Sequence, residues 1–185
     1  MNAIDRDSCV LVLVDYQQRL LPTIAGGARV LQQALTLADI ARSLGVPVIG
    51  TEQNPQGLGP NDAAIRAACV HTLAKRHFDA CADGLLEALP ELRPQPVRQV
   101  VVAGCEAHVC LMQTALGLRR AGLGTWVVAP ACGSRRPEDH ALAMQRLQGA
   151  GCSLASLEMV AFEWLRDCDH PQFRAVLAQL KALPV

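Results

Sequence analysis

The sequence predicts an α/β fold, a mostly parallel sheet with helices on both faces. Short apolar runs alternate with segments of helical periodicity along the 185 residues. The first run, Cys9-Val10-Leu11-Val12-Leu13-Val14, is continuously apolar, as a strand buried on both faces must be. Strands separated by helices imply right-handed crossovers, hence parallel neighbours and two covering helical layers.

The first strand spans residues 9–14 and ends at Asp15. Val30, Leu31, Ala34, Leu35, Leu37, Ala38 and Ala41 then recur at helical spacing within 28–44, and Gly45 stops that helix. Val46-Pro47-Val48-Ile49-Gly50 reads as the second strand, with Pro47 near its start where a missing donor matters least. Residues 51–60 read as a loop from their Gly, Pro and Asn content, and their length marks a binding loop. The third strand, 71–74, ends at Lys75. A short helix over 82–89 and a Pro-rich link, 90–96, lead to the fourth strand, 97–103. Its helix is expected from Cys110 to Ala121. The fifth strand covers 125–129, and a helix over 137–149 carries Pro137 in its first turn. A sixth strand, 152–155, precedes helices over 157–166 and 171–182. No repeat or second domain is visible, so one domain over 1–185 is expected.

Formal net charge is zero, which points to neither a nucleic-acid nor a membrane partner. Asp15 and Gln17 stop the first apolar run well short of a membrane span. The start, Met1 to Asp7, lacks the basic and apolar regions of a signal peptide, so the expected location is cytoplasmic. GxGxxG and GxxxxGK[ST] are both absent, which removes the usual nucleotide-binding signals.

Eight cysteines form neither a CxxC pair nor a zinc-finger spacing, and reduced thiols are expected. Cys110 stands apart. It follows the run Val100 to Gly104 after a short link and opens a helical pattern. A thiol at a helix N-terminus gains from unpaired N–H groups, so its pKa is expected to fall and Cys110 to be the most reactive of the eight. Asp15 ends the first strand in the same way, which places a carboxylate on the same sheet edge, where open α/β sheets bind ligands. Each residue alone has an ordinary reading: a packed thiol, a turn-capping Asp, a solvated Lys75 beside Arg76.

Taken together and in order, Asp15, Lys75 and Gly104-x-Glu106-x-His108-x-Cys110 resemble the isochorismatase-like cysteine hydrolases. Thr51-Glu52-Gln53, Gly57-Leu58-Gly59, Gln113-Thr114-Ala115, Ser134-Arg135 and His170-Pro171-Gln172-Phe173 extend the likeness over the chain, toward the small isochorismatase-domain-containing hydrolases. The resemblance implies a three-layer α/β/α Rossmann-like fold with six strands in order 3-2-1-4-5-6. It implies an Asp–Lys–Cys triad: Cys110 as nucleophile, Asp15 as base and Lys75 as supporting cation. It further implies oxyanion donors at the N–H groups of Glu106 and Cys110, a cis peptide between Cys105 and Glu106, and a homo-oligomer, dimeric or tetrameric. Gln17, Gln53, Asn54, Leu58 and His108 are candidate substrate contacts, with His108 read as a pocket-rim residue more than as a Cys–His partner. The Asp/His metal cluster of related nicotinamidases is missing: residues 51–70 hold Asp62 but no histidine. No metal and no cofactor are therefore expected. Pro130 and Ala107 depart from the family pattern without touching the triad.

The function expected is metal-independent hydrolysis of a small amide or ester through a cysteine thioester. The alternatives are a vinyl-ether hydrolase, which needs no thiol, and a non-catalytic small-molecule-binding or regulatory protein on the same fold. A thiol redox role for Cys105 with Cys110 is a minor option, since their spacing is not that of a redox pair.

Overall fold

The computed structural model describes residues 3–183; Met1, Asn2, Pro184 and Val185, part of the expected 1–185 domain, lie outside the described residues. Six strands form one sheet: β1 (Cys9–Val14), β2 (Val48–Gln53), β3 (His71–Lys75), β4 (Gln99–Gly104), β5 (Gly124–Val128) and β6 (Ser153–Ala155). Every neighbouring pair is parallel, in the order β3-β2-β1-β4-β5-β6 that the resemblance implied. The winding direction reverses between β1 and β4, and a crevice opens at such a switch point beyond the carboxyl ends of the strands. Val14 of β1 is in register with both Thr51 of β2 and Gly104 of β4, so β1 and β4 end level while β2 runs two residues further, to Gln53.

The helices are α1 (Gly27–Ser43), α2 (Pro55–Leu58), α3 (Ala63–Ala68), α4 (Leu85–Ala88), α5 (Met112–Arg120), α6 (Pro137–Gly149), α7 (Leu157–Leu165) and α8 (Phe173–Lys181). They flank the sheet: α1 contacts α3, α7 and α8, while α5 contacts α6. All six residues of β1 are fully buried, as are Val100 to Ala103 of β4. Each such Val or Leu contributes roughly 1.5–3 kcal/mol relative to an exposed position. None of the helices among the described residues is long and apolar enough to cross a membrane.

Four local expectations change. The second strand runs to Gln53 and does not end at Gly50, so the supposed loop opens with three buried strand residues, Thr51, Glu52 and Gln53. Their polar side chains are buried with partners, which composition alone cannot distinguish from a solvated loop. The helix α3, capped by Asp62 Oδ1 accepting from Ala64 N at 2.9 Å, falls where no element was assigned. The helix expected over 82–89 is divided by Gly84, whose φ of 96° suits a residue without a side chain. Finally, the helical path after β4 starts at Ala107, not Cys110, with a π-helical turn, Ala107–Leu111, that precedes α5.

Candidate active site

Asp15, Lys75 and Cys110 meet at the carboxyl edge of the sheet. Asp15 follows β1 with a φ of 54°, Lys75 ends β3, and Cys110 lies in the π-helical turn after β4. Gly104 lets that turn come close: a Cβ there would sit 2.3 Å from Val14 O and 2.5 Å from Val14 Cβ. The turn is tied to the segment after β5 by Ala107 N donating to Gly133 O at 2.7 Å. Glu106 O accepts from Val109 N at 3.0 Å and Leu111 N at 3.3 Å, and the longer reach to Leu111 is what makes the turn a π turn. The Cys105–Glu106 peptide is cis.

Lys75 Nζ lies 2.8 Å from Asp15 Oδ2, with both side chains fully buried. A buried ion pair needs further hydrogen bonds to offset desolvation, and these are present. Thr51 Oγ1 donates to Asp15 Oδ1 at 2.7 Å, and Lys75 Nζ donates to Gln53 Oε1 at 2.7 Å. The carbonyls of His77 and Phe78 accept from Nζ at 3.4 Å. Asp15 Oδ2 has no well-directed hydrogen bond despite its proximity to Nζ. A carboxylate oxygen has two lone pairs, so Oδ2 can accept a further proton while it faces Nζ.

Cys110 is buried, with Sγ 3.9 Å from Gln53 Oε1. Its thiol is pushed up to about 12, chiefly by burial and next by the Asp15 charge, against a smaller downward pull from Lys75. This corrects the expected lowering. Cys110 is the fourth residue of its turn and is shielded from water, so desolvation outweighs the helix terminus. Among the eight free cysteines only Cys168 is exposed. Cys105, beside the site, is likewise raised by burial.

The oxyanion candidates are placed as follows. Glu106 N has no hydrogen-bond acceptor among the described residues outside regular helix and strand bonding, and the Glu106 side chain accepts from Arg135 N at 3.2 Å and Nε at 2.9 Å. Among the substrate-contact candidates, Gln17 is buried and grips the end of β2: its Oε1 accepts from Gln53 N at 2.9 Å and its Nε2 donates to Gln53 O at 3.0 Å. Asn54 adopts a left-handed φ of 41° and its side-chain oxygen accepts from Arg76. Half-buried Leu58 closes α2, its carbonyl accepting from Arg19 N at 3.2 Å. The ring nitrogens of His108 face Ser134 Oγ at 3.0 Å and Asp139 Oδ2 at 3.9 Å. Sequence reasoning did not single out Thr51 as an Asp15 partner, nor Asn61, whose Nδ2 donates to Thr51 O at 2.9 Å. Strand register brings Thr51 level with Val14, next to Asp15, and nothing in the spacing along the chain marks it.

No group of three or more His, Cys, Asp or Glu side chains is arranged to hold a metal ion among the described residues. A cavity of about 650 Å³ opens elsewhere, among Val46, Pro47, Val48 and His71 at the amino ends of β2 and β3. The ionisable groups converge at the opposite, carboxyl edge, and chemistry follows those groups, not cavity size.

The parallel sheet in this order, flanked by helices, defines a Rossmann-like α/β/α protein. The isochorismatase domain family matches residues 9–159, and the chain belongs to that family. It is 36% identical over 174 residues to isochorismatase domain-containing protein 2 of Homo sapiens, covering 94% of this chain and 83% of the relative. The 2A form of Mus musculus is 33% identical over 175 residues, covering 95% of this chain and 84% of the relative. A solved structure described as MAR1 ribonuclease from Caenorhabditis elegans superposes with a TM-score of 0.91 at 29% identity, covering 100% of this chain and 95% of that one. Family membership supports a hydrolase.

Proposed function

We propose that this protein is a metal-independent cysteine hydrolase that cleaves a small amide, or an ester, through a thioester on Cys110. The observation that carries this reading is the fully buried Lys75–Asp15 pair at 2.8 Å beside a protonated thiol. A thiol held near 12 is a poor nucleophile by itself and needs a base at the moment of attack. Asp15, whose carboxylate keeps a free lone pair, takes the thiol proton as Sγ bonds to the carbonyl carbon. Lys75 stabilises both anions, and the Glu106 and Cys110 N–H groups receive the developing oxyanion. The carbon–nitrogen bond then breaks and Asp15 returns the proton to the leaving amine. Water, deprotonated by Asp15, cleaves the thioester to a carboxylic acid and restores the thiol.

A turnover screen over small amides, carbamoyl compounds and esters tests this, run with and without EDTA and with Cys110→Ala as comparison. Cys110→Ala should lower kcat/KM by on the order of 10²–10⁴, and EDTA should leave wild-type turnover unchanged. Near-normal turnover in Cys110→Ala sinks the thioester. Loss with EDTA, restored by zinc or manganese, sinks the metal-independent mechanism.

The Caenorhabditis elegans neighbour, described as a ribonuclease, motivates a second reading and adds RNA to the screen. Phosphodiester cleavage forms no thioester, so RNA turnover that survives Cys110→Ala would favour it.

A further inference from the structure

We propose that Gln53 is the positioning residue of this site, holding the Lys75 ammonium beside the Asp15 carboxylate and the Cys110 thiol, with both ends of its amide engaged within the protein. The inference rests on the reading of Cys110 as nucleophile and goes beyond it. Gln53 ends β2, in register with Lys75 at the end of β3. Cross-strand partners present their side chains to the same face of a sheet, and here the two side chains meet.

Both ends of the Gln53 amide are occupied. Oε1 accepts from Lys75 Nζ at 2.7 Å, and Cys110 Sγ lies 3.9 Å from the same oxygen. Nε2 donates to Arg76 O at 2.7 Å. The orientation of the amide is fixed by chemistry. Turned over, it would set an N–H donor against an ammonium and a carbonyl oxygen against a carbonyl oxygen, losing both bonds. The backbone of Gln53 is held as firmly, since Gln17 both accepts from its N–H and donates to its carbonyl. Gln17 Nε2 is also 2.6 Å from Gly59 O, which fastens the same strand end to the segment after α2.

The purpose of such a brace follows from the flexibility of lysine. Its ammonium is a point charge on a four-carbon stem, with three donors to direct. Without the Oε1 acceptor, Nζ keeps only Asp15 and the longer contacts to the His77 and Phe78 carbonyls, and the stem is free to carry the charge away from the sulfur. With Oε1 in place at 2.7 Å, Nζ is held 2.8 Å from Asp15 Oδ2 and close enough to pull the thiol down. Gln53 thus keeps the cation beside the base and the sulfur at once.

The test uses the full chain carrying Cys168→Ser, which removes the exposed thiol, with Gln53→Met and near-isosteric Gln53→Glu added separately. Urea midpoints report folding. Iodoacetamide labelling of Cys110, followed by peptide mass mapping across pH, needs no substrate. Gln53→Met should slow labelling at neutral pH and reduce kcat, each by on the order of 10–100-fold, with KM within about twofold of the parent. Gln53→Glu places a negative charge by the sulfur, disfavours the thiolate, and should move the labelling profile up by about one pH unit. Unchanged labelling in both variants overturns the proposal. So does a higher KM with kcat intact, which would make Gln53 a substrate contact. If Gln53→Met fails to fold, the profile of Gln53→Glu decides alone. Full turnover in Cys110→Ala is a different failure: it removes the thioester, while the labelling profiles still decide whether Gln53 governs the thiol.

Discussion

At the scale of single residues, the site depends on burial more than on the helix terminus. The Cys110 thiol is protonated at neutral pH because burial pushes it up to about 12. Its thiolate fraction should therefore grow about tenfold per pH unit through the neutral and mildly alkaline range. In a Cys168→Ser background, the rate of Cys110 labelling by iodoacetamide should climb through about pH 9 with no plateau; a plateau near neutrality would reveal a stable thiolate and refute the burial argument. Burial also alters how the triad can be tested. Asp15 and Lys75 lie at the edge of the sheet, yet their side chains are fully buried. Removing one partner strands the other charge, at a cost of about 3–5 kcal/mol. Asp15→Asn and Lys75→Met should each abolish most turnover, and each should also lower the urea midpoint, whereas Cys110→Ala leaves no charge unpaired and should keep the midpoint much closer to the parent. The Cys110 variant is therefore the cleanest kinetic probe.

At the scale of elements, four strand ends meet at the site, and those of β2 and β4 show how it is held. The end of β2 carries Thr51, Glu52 and Gln53, each buried with a partner: Asp15 for Thr51, Asn61 N for Glu52, Lys75 for Gln53. The end of β4 relies on Gly104, where any Cβ would strike the β1 backbone and Val14. Gly104→Ala must push β4 away from β1 and carry the Ala107–Leu111 turn with it. The expected cost is about 1–3 kcal/mol, as for other overpacked interiors. Turnover per folded molecule should fall as well, because Cys110 would shift relative to Asp15. Differential scanning calorimetry with kinetics checks both. Wild-type stability together with wild-type activity would mean that β4 tolerates a methyl group where the geometry leaves no space.

At the scale of the whole molecule, the buried thiols make alkaline pH a stress. Cys9, Cys69, Cys81, Cys105, Cys110, Cys132 and Cys152 all sit above their ordinary value near 9.0, with burial the largest cause. Above about pH 9 the unfolded chain releases those protons while the folded chain keeps them. The folded state then binds more protons, so stability must fall as pH rises. Buried Tyr16, raised well above 10.0 chiefly by desolvation, acts in the same direction at still higher pH. Under reducing conditions the urea midpoint should be lower at about pH 10 than at about pH 7.5. An unchanged midpoint would show that the thiols are not kept from water as the fold requires.

By itself the sequence determined the strand–helix alternation and the six-strand parallel sheet, because a doubly buried strand has to be written as a continuous apolar run such as Cys9 to Val14. Asp15 and Cys110 were legible for a related reason, each a reactive residue just past the end of such a run or its following link, whereas Lys75, after the mixed segment 71–74, stood out only through the family resemblance. Residues 51–53 were misread, since a buried polar strand end looks like a loop until its partners are known. Only the tertiary structure decided those partners, the start of the helical path at Ala107, and the sign of the Cys110 shift. Desolvation and hydrogen bonding depend on what lies opposite in space, and Gln53, Lys75 and Cys110 come together through strand register and crossover, not through spacing along the chain.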